Sequence, residues 1–436
     1  MVGKCYHLPN DQVDGLLLAS FKRTTSADSR DGTGMKVLLS AYACEPNKGS
    51  EPGVGWNWTQ ALLRRGYAVH VITRSNNRQS IEKESKSQGA RLTFSYYDLP
   101  GWARAWKYWP GGIYLYYLLW QIGAYRLAKR LHTVEEFDLV HHVTFASYRQ
   151  PSFMGCLGIP FVFGPVGGGE TMPKSFHKGI PLSGRVAETV RDLGSSLVAI
   201  DPLMKLTFSS AQIIACTTSD TLARIPHRYH SKCIVQPTIG INESEIESTR
   251  RTSSFVPQFL YVGRLLYWKG LHLTLRALIE VRRSVPDVKL RIIGDGTDRE
   301  WLEQVAHDAN LDGTVEWIPA RPHDEIWQEY RKSLAFVFPS LHDSGGMVVL
   351  EALAAGLPVI CLDLGGPAAI VTADCGIIVQ SRVGDEAAVI TRLAHAMIHL
   401  ATDSADRERL SEGAVLRARD TTWDLAADRL YRSLNR

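Results

Sequence analysis

At 436 residues the chain is too long for one ordinary core, and two domains are the natural expectation. Hydrophobic residues make up 45% and charged residues 22%, a globular balance that excludes a disordered chain. The formal net charge of +4 makes no demand for nucleic acid; it suits an anionic small ligand or an acidic membrane surface.

In chain order, residues 1–34 hold no apolar core behind a basic start, so no secretory signal is expected. Ser26–Gly34 is polar and turn-rich, which predicts a disordered extension over 1–34 and folding from Met35, itself a candidate start. Strands are expected at Lys36–Ser40, Ala68–Thr73, Leu92–Tyr96, Asp138–Val143, Pro160–Phe163 and Gln212–Thr217. A second set is expected at Gln258–Val262, Lys289–Ile293, Thr314–Ile318, Ala335–Phe338, Pro358–Leu362 and Gly376–Val379. Several are unbroken Val/Ile/Leu/Phe runs, as parallel strands buried on both faces require. Alternation with helical patterns implies right-handed βαβ units and open parallel sheets, hence an α/β fold.

The polar stretch Gln236–Ser254 reads as a linker, separating a first domain over 35–240 from a second over 255–410. A tail over 411–436 places Trp423, Leu425, Leu430 and Leu434 on an amphipathic helix. The longest apolar stretch, Ile113–Trp120, falls far short of the ~20 residues of a membrane span. The 7 cysteines are scattered with no C-x-x-C pair, which argues against a disulfide framework and a structural zinc site and for a cytoplasmic compartment.

The second half carries the densest motifs. Tyr261-Val262-Gly263-Arg264 is followed by Lys269-Gly270, small glycines beside two cations that can meet a diphosphate. Ile292-Ile293-Gly294-Asp295-Gly296 ends a strand in a tight turn, but Arg299 stands where the dinucleotide fingerprint needs glycine. Pro339-Ser340 ends another strand; Asp343-Ser344-Gly345-Gly346-Met347 turns into a helix whose first amides suit an anionic or hydroxyl-rich ligand. Glu351 lies inside that helix among Val349, Leu350, Ala352 and Leu353, a costly place for a carboxylate without hydrogen bonds.

Together, Gly263-Arg264…Lys269-Gly270, Gly294-Asp295-Gly296, Pro339-Ser340-x-x-Asp343-x7-Glu351-Ala352, Gly356-x-Pro358-Val359 and Gly365-Gly366 resemble glycosyltransferase family 4, the group 1 glycosyl transferases, from Met35 onward. The resemblance implies a GT-B fold: two Rossmann-like, doubly wound parallel-sheet domains facing across a cleft, with the C-terminal helix crossing back to the first. It implies retaining transfer from a nucleotide-diphosphate sugar. Arg264 and Lys269, with Gly263, would bind the diphosphate and Glu351 the ribose. Asp343 and the backbone of Gly345, Gly346 and Met347 would hold the sugar, and Trp317 and Ile318 would contact the base. The family's usual first acid is glutamate; Asp343 is one methylene shorter, which bears on which sugar is taken. In the front-face mechanism favoured for such folds, the leaving diphosphate helps to deprotonate the acceptor. No metal or further cofactor is then expected, and the sequence shows no D-x-D pair in a plausible metal loop.

In the first half, Gly49-Ser50 matches the family's Gly-Gly loop beside donor phosphates or acceptor; an ordinary helix start is the plain alternative. Of His141 and His142, adjacent on a strand, one at most faces a given ligand; the resemblance implies a sugar-contacting histidine near here, with His142 preferred over His141 and a structural histidine pair as the plain alternative. Gly167-Gly168-Gly169-Glu170 suits close approach to substrate or to the facing domain, with Gly168 and Glu170 as acceptor contacts. Between Gly101 and Leu131, Trp102, Trp106, Trp109, Tyr114, Tyr116, Tyr117, Trp120 and Tyr125 interleave with Arg104, Lys107, Arg126, Lys129 and Arg130. That pattern suits either a core stripe or peripheral contact with the inner membrane face, where a lipid-linked saccharide acceptor would be met. A nucleotide-sugar epimerase and a non-catalytic nucleotide-sugar-binding subunit remain alternatives. No P-loop kinase motif is present.

Overall fold

The computed structural model describes residues 34–86, 88–109, 111–237, 239–246 and 257–435. Residues 1–33 of the extension expected over 1–34, and the linker residues 238 and 247–254, lie outside the described residues. In the first domain the elements are β1 (Lys36–Ala41), α1 (Ser50–Arg64), β2 (Ala68–Thr73), α2 (Arg78–Ser85), β3 (Leu92–Tyr96), α3 (Gly112–Glu135), β4 (Leu139–Thr144), β5 (Phe161–Val166), α4 (Leu182–Leu197), α5 (Pro202–Ser210), β6 (Ile213–Cys216), α6 (Ser219–Arg224) and β7 (Cys233–Val235). The second runs β8 (Gln258–Val262), α7 (Leu271–Ser284), β9 (Lys289–Ile293), α8 (Arg299–Asp308), β10 (Val315–Ile318), α9 (His323–Lys332), β11 (Ala335–Phe338), α10 (Met347–Ala354), β12 (Val359–Leu362), α11 (Gly365–Ile370), β13 (Gly376–Val379), α12 (Glu386–Thr402) and α13 (Ser404–Arg419), and α14 (Trp423–Arg432) closes the chain.

The strands form two parallel sheets, in the orders β3-β2-β1-β4-β5-β6-β7 and β10-β9-β8-β11-β12-β13. Each order reverses once, between β1 and β4 and between β8 and β11, and crevices for ligands open beyond the strand C-termini at such switch points. Buried runs explain the sheets: Val140, Phe161, Val162, Phe163, Leu260 and Val337 are inaccessible, as strands covered by helices on both faces require. The three-residue strand β7 was not expected from sequence; its Cys-Ile-Val run, half-exposed at the sheet edge, is too short to stand out among polar neighbours.

The last helix packs on the first domain. Trp423 meets Trp58 edge-on at 6.4 Å, Tyr431 lies 5.3 Å from Tyr67, and Arg64 and Arg65 pair with Asp424 and Asp428 at 3.0 and 2.5 Å. Leu425, expected on the apolar face, is instead left exposed. The stretch read as a linker is built into this contact: Gln236 Nε2 donates to the Ala426 carbonyl at 2.7 Å, Ile239 and Ile241 are buried, and Ile241 pairs with Thr422.

Candidate active site

Beyond β8 and β11 two turns are pressed together. Gly270 adopts φ 71°, and a Cβ there would come within 1.9 Å of the Pro339 carbonyl, so only glycine lets the Lys269 turn lie against the Pro339–Asp343 turn. The Lys269 ammonium is hydrogen-bonded and ion-paired to Asp343, whose other oxygen accepts from the Gly345 amide at 3.3 Å. Burial pushes the Asp343 carboxyl up, but the Lys269 charge and hydrogen bond outweigh it and hold the group below the usual range. Arg264 is exposed, with no hydrogen bond or ion pair to its guanidinium among the described residues. Thus the structure unites Lys269 and Asp343, which the sequence assigned separate tasks, and leaves Arg264 open to solvent. Gly346, in the left-handed region, starts α10, where Met347 is the first helical residue.

One turn along α10, Glu351 is almost buried and accepts from the Tyr330 hydroxyl at 3.0 Å, with His323 Nε2 at 3.4 Å. The hydrogen bond to Glu351 raises the His323 pKa. Glu351, Met347 and His323 line a cavity of about 350 Å³ whose opposite wall includes Gly49, Asn57 and Gln60. The structure therefore brings Gly49 and Glu351, from opposite domains, to one cavity. Ser50 beside it holds φ 57°, a strained conformation for a residue with a side chain, at the position of the family's second glycine. Gly49 is the residue before the helix and supplies no side-chain cap. Trp317 and Ile318 do not line this cavity; the Ile318 carbonyl already accepts from the Gly294 amide at 3.0 Å, and Trp317 lies 5.9 Å from the Arg299 guanidinium.

Two of the expected site residues lie deep in the fold. His142 was expected at the sugar, but it is wholly buried in the first domain, with Ser152 Oγ 3.1 Å from Nδ1 and the Tyr117 hydroxyl 3.3 Å from Nε2. Burial lowers its pKa to about 4. His141 is equally buried and bonded to the Gly164 carbonyl and the Tyr431 hydroxyl. On a strand covered on both faces, either histidine is a core residue. Glu170, expected at the acceptor, is 1% exposed. Its carboxylate accepts from the hydroxyls of Thr218 (2.6 Å) and Thr221 (2.8 Å), the Gly168 amide (3.0 Å), and the Ser344 hydroxyl of the facing domain. The Gly168 amide also reaches Ser344 Oγ at 2.8 Å, and a Cβ on Gly167 would stand 2.4 Å from the Ser344 Cβ. The glycine run thus serves approach to the facing domain.

Sequence reasoning missed a second tie across the cleft. Glu188, on α4, accepts from the Tyr267 hydroxyl at 2.9 Å and pairs with His342 at 2.8 Å and Arg191 at 3.4 Å. Burial alone would raise its pKa; His342, Arg191 and Tyr267 bring it down to about 2. Only a glutamate facing inward on an amphipathic helix hinted at this.

The aromatic segment is divided. Tyr116, Tyr117 and Trp120 are buried core, whereas Trp102 and Trp109 are 68% and 65% exposed, and Arg126, Lys129 and Arg130 are exposed on α3. A further apolar row, Leu182, Val186, Val190, Leu193 and Leu197, faces outward along α4. Among the described residues no helix is long and apolar enough to cross a membrane, and no three His, Cys, Asp or Glu side chains gather as a metal site.

Residues 246–416 match the family model of glycosyl transferases group 1. A D-inositol 3-phosphate glycosyltransferase from Corynebacterium efficiens is 28% identical over 242 residues, 51% of this chain and 55% of that protein, so the match spans about half its length. Among solved structures, a glycosyltransferase from Rickettsia africae superposes with TM-score 0.62 at 14% identity, covering 92% of this chain and 98% of the other. Anabaena HepE, solved with UDP and glucose, superposes at TM-score 0.56 and 14% identity over 92% and 99% of the two chains. At such identities the two superpositions establish a shared fold, the two-sheet GT-B architecture.

Proposed function

From a GT-B chain whose residues 246–416 form a glycosyl transferases group 1 domain, we propose a retaining, metal-independent hexosyltransferase that moves a sugar from a nucleotide-diphosphate donor to an acceptor hydroxyl. The observation that carries this reading is the convergence of Lys269, Asp343 and the start of α10 at one switch point, with Glu351 opposite Gly49 in the adjoining cavity. The name of the corynebacterial relative and the UDP in HepE support a nucleotide-sugar donor.

In this reading Glu351 receives the ribose hydroxyls, and Asp343 with the Gly345–Met347 backbone holds the sugar. Lys269 turns from Asp343 to the diphosphate, where the unpaired Arg264 adds its fork. The acceptor oxygen bonds to the anomeric carbon as the bond to the diphosphate oxygen breaks. The electron pair leaves with the diphosphate, and the acceptor proton passes to it. The protein's share is electrostatic: cations and helix amides placed where negative charge develops. Retention rests on the family resemblance.

The proposed place of action is the cytoplasm, with peripheral contact at the inner membrane face and a saccharide or glycolipid acceptor. Exposed Trp102 and Trp109, the outward row on α4 and the exposed cations of α3 support that contact. Thermal shifts with UDP- and GDP-sugars, followed by product analysis with and without acceptor, test the activity. A donor that binds yet yields only a rearranged sugar without acceptor makes the protein an isomerase; binding with no turnover under any acceptor makes it a binding subunit. Sedimentation with anionic vesicles at low salt tests membrane contact; protein left in the supernatant counts against it.

A further inference from the structure

Beyond the C-termini of β1 and β2 in the first domain lies a group of donors with unused capacity. Tyr42 is 4% exposed and packed edge-on by Tyr117 and Trp120, each at 5.1 Å. Its hydroxyl is buried; the Arg74 side chain, itself only a donor, acts on the phenol oxygen, and no acceptor meets the hydroxyl proton, a state that costs free energy unless something fills it. The Arg74 guanidinium lies 4.3 Å over the Tyr42 ring, held by its Nε–H donating to the Tyr42 carbonyl at 2.9 Å. The Lys107 ammonium is 5.9 Å from the same ring and 3.8 Å from that of Tyr116. Among the described residues no carboxylate pairs with Arg74 or Lys107. The nearby acids are committed: Asp98 accepts from the Tyr116 hydroxyl and from Ser75 at 3.1 Å, with Arg104 at 4.0 Å, and Glu51 accepts from the Ala146 amide at 2.7 Å. Burial and the neighbouring Arg74 charge push the Lys107 pKa down and outweigh the pull of Asp98, so an anion placed here would relieve two like charges.

We propose that Tyr42, Arg74 and Lys107 form an oxyanion subsite of the first domain, and that the acceptor is an anionic sugar or polyol carrying a phosphate or carboxylate. The inference rests on the glycosyl-transfer reading, because it assigns that anion to the acceptor. A guanidinium fork, a mobile ammonium and a phenol hydroxyl are complementary to the several oxygens of a phosphate. The phosphate belongs either to a soluble phosphosugar or to a lipid headgroup.

The test uses the full chain saturated with UDP, which fills the donor diphosphate site. Glucose 6-phosphate and glucose are titrated against tryptophan fluorescence, to which Trp120 beside Tyr42 is well placed to respond. Glucose 6-phosphate is expected to bind at least tenfold more tightly than glucose. Tyr42→Phe and Lys107→Gln should each remove tenfold of that preference, with UDP affinity within twofold of the parent. A parallel arm compares vesicles of phosphatidylcholine with and without phosphatidylinositol; binding confined to the latter, and lost in the same variants, assigns the anion to a lipid headgroup. Equal affinity for charged and neutral sugars with no vesicle preference, or variants within twofold of the parent in both arms, overturns the proposal. Failure to bind UDP counts against the donor reading instead, and leaves the comparison of the two sugars to decide this one.

Discussion

Lys269→Ala removes one side of a pair whose partners are only 18% and 17% exposed. Asp343 then keeps a single amide, from Gly345, and burial raises its pKa against only that amide and the weaker His342 charge. Breaking a fully buried pair from one side costs about 3–5 kcal/mol. With both side chains at the cleft edge and partly exposed, the cost falls below that range, and about 2–3 kcal/mol of unfolding free energy should be lost at pH 7. The sign with pH follows from the depressed Asp343 pKa in the parent: its stability is present above the unfolded carboxylate value near 3.9 and is lost as pH falls through the folded value. Without Lys269 that acid-side loss should vanish or reverse. Asp343→Ala on the Lys269→Ala background should restore part of the stability, because no orphaned charge remains. Turnover should not recover, since a leaving-group cation is worth roughly 3–4 kcal/mol, or about 10²–10³ in kcat. Urea melts across pH and steady-state kinetics on the single and double variants supply both readings. A single variant within 0.5 kcal/mol of the parent and within tenfold in kcat would refute the reasoning.

Arg264→Ala should lower kcat/KM by about 10²–10³ while leaving the melting temperature unchanged, because the exposed guanidinium holds nothing in the fold. Arg264→Lys should also be impaired, and a loss below tenfold in the alanine variant removes the assignment. Glu351→Gln should weaken free nucleotide as well as the full donor, whereas Asp343→Asn should depress turnover with free nucleotide nearly unchanged; calorimetry showing equal losses for free nucleotide defeats this division. Glu170→Ala takes an acceptor from four donors, leaving the Thr221 and Ser344 hydroxyls with none, and should cost about 3 kcal/mol in denaturant unfolding. A stable Glu170→Ala protein whose only defect is acceptor KM would return Glu170 to the acceptor.

Strands were legible where β-formers cluster between turn residues: Ala68–Thr73 and Lys289–Ile293 are strands with the expected bounds, but their order in each sheet was not read from the sequence. The turns around Gly263, Gly270 and Gly346 were legible because glycine and charge fall at strand ends. What escaped is contact between distant residues. His142 and a ligand-facing histidine look alike in a run such as Leu139-Val140-His141-His142-Val143, since the helices that bury it lie elsewhere in the chain. The glycine run at 167–169 announced a close approach, but nothing local identifies Ser344 as its partner. Tyr42, Arg74 and Lys107 are separated by about thirty residues each, follow no spacing rule, and meet only because β1 and β2 are neighbours and the segment before α3 folds over them.

The placement of α14 has a consequence for synthesis. Trp58 and His141, near the centre of the first domain, are covered in part by Trp423 and Tyr431. A ribosome therefore delivers the whole second domain before the first has its last wall. Until then the growing chain presents α1 with an uncovered aromatic face, the kind of surface that nascent-chain chaperones hold. A stop codon before Trp423 should thus impair the first domain, whose last strand β7 ends at Val235, far upstream of the lesion, more than the second domain that immediately precedes it.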